Sequence, residues 1–143
     1  MRPILAATAL VLATLPAAAQ DVATAPFDGD VEDAAFAVEA AIVNRGLVVV
    51  YQSDVGEMLA RTGADLGLGP SPVGDDARVF LFCSATVSRQ VMEADPLNVA
   101  NCPYAVFVAE IGGETLVGRR VYPQESMAPV NALLDGIVAE ATE

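Results

Sequence analysis

Apolar residues recur at helical spacing in several stretches of the chain. Val31, Ala34, Ala35, Val38, Ala41 and Ile42 return every three or four positions behind Asp30, a capping residue with Asp33 as its capping-box acid, and Gly46 supplies the stop. Val87, Val91 and Met92 mark a helix over 86–94, closed by Asp95 and Pro96. Met127, Val130, Leu133, Leu134, Ile137 and Val138 give the last helix one apolar face, with Ser126 as its cap and Pro129 in the first turn. A shorter helix over 55–61 carries Met58 and Leu59. Between these lie runs of another kind. Residues 47–53 are continuous and β-branched, 78–83 read RVFLFC, and 104–111 read YAVFVAEI, all expected as buried strands. Gly112 and Gly113 make a hairpin turn into a strand over 115–122, which Pro123 ends.

The order is helix, strand, helix, strand, helix, strand, strand, helix. This predicts a single α+β domain in which a mixed four-stranded sheet packs against helices, since strand–helix–strand steps favour parallel neighbours. Residues 20–29, with small side chains and Pro26, read as a flexible lead-in to a domain over 30–143, and the Gly- and Pro-rich 62–77 as the main loop. Val49, Phe80, Phe82, Val106, Phe107, Val108, Leu133 and Ile137 are the expected core.

The first residues, MRPILAATALVLATLPAAAQ, follow another logic. One arginine, a short apolar run and small residues after Pro16 are what a secretory peptidase requires, and the run is too short to cross a bilayer. Residues 1–19 therefore read as a signal peptide, cut after Ala19 or Gln20, leaving no stable membrane anchor and a periplasmic or secreted location. The formal net charge of −12 argues against nucleic acid as a partner. Histidine and lysine are both missing from the 143 residues. That excludes Ser–His and Cys–His pairs, histidine-bound zinc or haem, Schiff-base lysines and phosphate-loop lysines, so no metal and no cofactor is implied.

The remaining chemistry belongs to two thiols, the arginines and hydroxyls. Two cysteines in an oxidising compartment usually pair. If 78–83 and 104–111 run parallel, however, Cys83 and Cys102 sit at opposite strand ends, five or six residues at about 3.3 Å apart along the strand. A disulfide needs Cα atoms within about 7 Å. Buried free thiols are then favoured, while a fold-back of the loop over 97–102 leaves a bridge open. Cys83 and Arg89 share the C-x5-R spacing of phosphate-cradling thiol enzymes, with Ser84 and Thr86 as further donors, but the loop lacks glycine and Phe82 stands where those enzymes carry histidine. Asp28, Asp30, Glu32 and Glu39 fall at calcium-loop offsets, yet Asp33 holds the position that wants glycine, and the same acids suit a helix start. Arg119 and Arg120 point to opposite sides of their strand. Arg120, sharing a side with Gly118 and Tyr122, is the better candidate to meet a small anion, with an ion pair as the competing role.

Phe82 and Cys83 at a strand end, Met92, Asp95–Pro96, Pro103 leading into YAVFVAE, the Gly112–Gly113 turn and Met127 together make a pattern. Over about residues 31–140 it resembles the domain of unknown function family number 302. The chain departs from it at Ser84–Ala85, where many members have Asn–Pro, and at Pro103–Tyr104, where many have Pro–Cys. The resemblance implies a compact α+β domain, often a dimer, and supplies no activity. Two functional readings follow. One is an exported, non-catalytic binding or interaction module, holding a small ligand or partner protein near 67–74 and 83–89. The other is a thiol-dependent enzyme or redox protein using Cys83.

Overall fold

The computed structural model describes residues 21–143, so the signal-peptide reading of 1–19 lies outside the described residues. The elements are β1 (Val22–Pro26), α1 (Val31–Asn44), β2 (Val48–Ser53), α2 (Val55–Leu66), β3 (Arg78–Cys83), α3 (Ala85–Ala94), β4 (Tyr104–Ile111), β5 (Glu114–Arg120) and α4 (Ala128–Ala141). The α+β class is as expected, but the sheet has five strands in the order β1-β5-β4-β3-β2, and every neighbouring pair is antiparallel.

Both differences have a physical cause. Residues 22–26 are not a lead-in. They pair with β5 through the backbone, Val22 opposite Arg120 and Pro26 opposite Leu116, and Pro26 is tolerated because β1 is an edge. The expected parallel steps fail because each intervening helix is followed by a second stretch that carries the chain back. Residues 67–77 return it from α2, and a 3-10 turn at Pro96–Asn101 returns it from α3. β3 therefore starts where β2 ends, with Ser53 opposite Val79, and β4 starts where β3 ends, with Phe82 opposite Tyr104.

One face of the sheet is covered. Phe80, Phe82, Tyr104, Val106, Val108 and Val117 close against Val38, Ile42, Val91, Val130, Leu134 and Ile137, all fully buried. The helical periods drive this, since α1 and α4 each present one apolar stripe. Asp30 caps α1 by accepting from the Asp33 N–H at 2.8 Å, as the sequence predicts. Ser126 does not cap α4; Met127 precedes that helix, and the Ser126 hydroxyl accepts from Asn98 instead. Arg45 joins α1 to α4, donating to the Gly136 carbonyl at 2.7 Å and pairing with Glu140. α2 runs to Leu66, beyond its expected end, and stops on Gly67 in the left-handed conformation.

The other face is open. By register and alternation it carries Val48 and Tyr51, Val79, Leu81 and Cys83, Ala105 and Phe107, Leu116, and Val22 and Thr24. α2 leans over one end only, where Val55 and Leu59 line a small apolar cleft with Val79, Phe107, Ala109 and Ile111. β2 is consequently an edge strand rather than a buried one, with Val48 70% and Tyr51 61% exposed. Phe107, expected in the core, lies half-buried on this face. Its ring crosses Gly118, where a Cβ would stand 2.1 Å from the ring.

Candidate functional site

The antiparallel pairing of β3 and β4 decides where the thiols go. Cys83 ends β3, and Cys102 lies just before β4 begins beside that end, so the two Sγ atoms lie 2.7 Å apart as free thiols. The strand-length separation argued from a parallel pair is overturned. Both thiols are half-buried at the end of the open face away from α2. Burial pushes the Cys83 thiol up to about 11, the neighbouring Cys102 pushes the same way, and a hydrogen bond from the Tyr104 backbone opposes them.

Beside the thiols is a shallow pocket lined by Leu81, Asn101, Cys102, Ala105, Arg120 and Tyr122. The structure thus brings Arg120 and Tyr122 to Cys102. Tyr122 is nearly buried; burial raises its phenol, and the nearby Arg120 guanidinium draws it partly back. Asn131 fixes this strand end by donating to the Tyr122 carbonyl at 2.7 Å and accepting from its N–H.

The two adjacent arginines divide as alternation requires, and the ion pair weighed for Arg120 is made by Arg119 instead. Arg119 is the buried one, under α4, with Nε 2.7 Å from Asp135 and Nη1 on the Asn131 side-chain oxygen and the Arg120 carbonyl. Arg120 is exposed on the open face and makes no ion pair among the described residues. Arg45, Arg61, Arg78, Arg89 and Arg119 each have a carboxylate.

The other sequence candidates serve the fold. Ser84 caps α3, its hydroxyl accepting from the Val87 N–H. Thr86 is exposed on the first turn of α3, and Arg89 donates to Glu93 four residues on, at 2.6 Å, so the C-x5-R spacing builds no shared cradle. Among the calcium-loop acids, Asp30 is the α1 cap and Glu32 pairs with Arg78. The joint site expected between 67–74 and 83–89 is not assembled. Val73 accepts from the Glu110 N–H at the far end of β4, whereas Cys83 lies beside its beginning.

The sequence reading did not single out Leu81 and Ala105, and it placed Phe107 in the core, although a signal was present. β3 and β4 are apolar on both faces, which is how a strand covered on both sides reads.

The comparisons with known proteins fall on this whole domain. A family model described as "Domain of unknown function DUF302" matches residues 23–142. The crystal structure of an uncharacterized conserved DUF302 protein from Bacillus stearothermophilus superposes with a TM-score of 0.62 at 19% identity, covering 87% of this chain and 97% of that one. At that identity the likeness is one of fold. No curated protein matches the chain.

Proposed function

The chain belongs to the DUF302 family, and we propose that it is an exported, non-catalytic interaction module that works through the open face of its sheet. A single observation carries this: β3 and β4 are apolar on both sides, while the helices of this chain cover one side fully and the other at one end only. A contiguous apolar surface on a small domain marks an interaction site.

The occupant is a second copy of the chain. Between chains of net charge −12, close approach is opposed everywhere that carboxylates cluster. The open face is nearly free of them. By register its charged residues are Arg120 at one end and Glu114 at the hairpin tip. Two copies meeting face to face would bury Tyr51, Leu81 and Phe107 without bringing acidic groups together, in the self-complementary arrangement of a two-fold dimer.

Sedimentation equilibrium tests this. The wild type should show a dimer mass at micromolar concentration. Tyr51→Asp and Leu81→Asp should be folded monomers, because each places a charge in the joint. A monomeric wild type, or dimers that survive both substitutions, would overturn the reading.

A further inference from the structure

We propose that Cys83 and Cys102 are a reversible dithiol, closed to a disulfide by exchange with a carboxylate-bearing low-molecular-weight disulfide that enters the pocket beside Cys102 and Arg120. Three separate features meet there. The antiparallel pairing of β3 and β4 brings the thiols side by side at one strand end, 2.7 Å apart, so an S–S bond of about 2.05 Å needs only sub-ångström movement. The pocket reaches Cys102 rather than Cys83. Arg120, without a carboxylate of its own among the described residues, lines the same pocket in a strongly acidic chain.

The order of steps follows from access. The Cys102 thiol gives up its proton to solvent, and its thiolate attacks one sulfur of the incoming disulfide, forming a mixed disulfide at Cys102 and expelling one thiolate, which takes up a proton. Cys83 then loses its proton and attacks the Cys102 sulfur. The internal bond forms, and the second half of the substrate leaves as a thiol. One disulfide is reduced to two thiols while the protein dithiol is oxidised, and no other electron acceptor is needed. Burial, the first cause of the high Cys83 value, persists through the second step, but what Cys102 adds to it does not. Two of its causes are the hydrogen bond and the charge of Cys102, and both disappear once Cys102 is in the mixed disulfide. The Tyr104 N–H remains to favour the Cys83 thiolate.

The test uses the full, reduced mature protein with oxidised glutathione, which carries carboxylates, and with cystamine, which carries amines. Mass spectrometry of proteolytic fragments should find a Cys83–Cys102 crosslink and no lasting adduct. Cys83→Ser should trap a glutathione adduct at Cys102, and Cys102→Ser should react at least about tenfold more slowly. Arg120→Ala should slow the glutathione reaction about two- to fivefold, as loss of one exposed charge pair implies, and should not slow the reaction of cystamine, whose ammonium groups Arg120 repels. The advantage of the wild type over Arg120→Ala with glutathione should shrink with added salt, which screens the exposed charge pair. The pocket shares Leu81 and Ala105 with the proposed pairing surface, so the same rates are read in Tyr51→Asp. Exchange that persists there separates this proposal from the dimer. Thiols that stay free under excess disulfide, an adduct that forms first at Cys83, or an Arg120→Ala effect equal for both reagents would overturn it.

Discussion

Replacing Phe80 and Phe107 separately with alanine should give unequal losses, although the two rings sit on neighbouring central strands. Phe80 is 1% exposed and packed under α1 and α4. Its truncation removes a full ring and leaves a hole that rigid neighbours only partly fill, a loss of about 3–5 kcal/mol. Phe107 lies on the open face, half-buried across Gly118, where solvent can take the vacated volume. Since complete burial of such a side chain stabilises by about 3 kcal/mol at most, Phe107→Ala should cost about 1–2 kcal/mol. Urea titrations read the difference directly. With a slope of about 2 kcal/mol per molar, the Phe80 midpoint should fall by about 2 M and the Phe107 midpoint by less than half of that. Protein concentration is kept low so that self-association does not add to the wild-type value. Equal losses, or a Phe80 loss below about 1 kcal/mol, would refute the two-faced description of the sheet.

Gly56→Ala should destabilise even though it lies in helix α2, because its Cβ would stand 2.5 Å from the backbone of Gly74, Asp75 and Ala77, which cannot swing aside. A helix-propensity gain of roughly 1 kcal/mol is outweighed by an overpacking cost of about 1–3 kcal/mol, and a raised urea midpoint would contradict the contact. In the reduced protein, Cys83 should remain a thiol at pH 9 and reach half-ionisation near 11, read from thiolate absorbance. An acid whose folded value is raised adds stability below its ordinary value of 9.0, and that contribution is lost as pH rises toward 11. Cys83→Ala should accordingly flatten the alkaline fall in stability, and an unchanged fall would exclude this source. Intact mass from a periplasmic extract should place the mature N-terminus at Gln20 or Asp21, while a mass retaining Met1 would refute export with cleavage.

The helices were legible because burial on one side imposes a 3.6-residue period, plain in Val31 to Ile42 and Val130 to Ile137. The Gly112–Gly113 turn was equally plain, since both residues adopt positive φ. β1 was not legible. VATAP has one side chain larger than threonine or proline, and its place is held by backbone pairing with β5 that no side-chain pattern announces. Strand direction was hidden for a different reason. The connections after β2 and β3 are long enough either to cross over or to double back, and composition does not distinguish the two. The thiols inherited that ambiguity, and one change of strand direction moved them from opposite ends to adjacent positions. For Arg119 and Arg120 the alternation was visible, but the buried partner was not, because Asp135 lies on a helix 16 residues away.

The claim that the open face is where the chain meets a second copy is tested most directly by hydroxyl-radical footprinting above and below the concentration at which copies associate. Tyr51, Leu81 and Phe107 should lose reactivity in the associated protein, while Phe36 on α1, 76% exposed, should keep it. Protection of Phe36 with Tyr51, Leu81 and Phe107 still reactive would place the contact on the helical side and contradict the account.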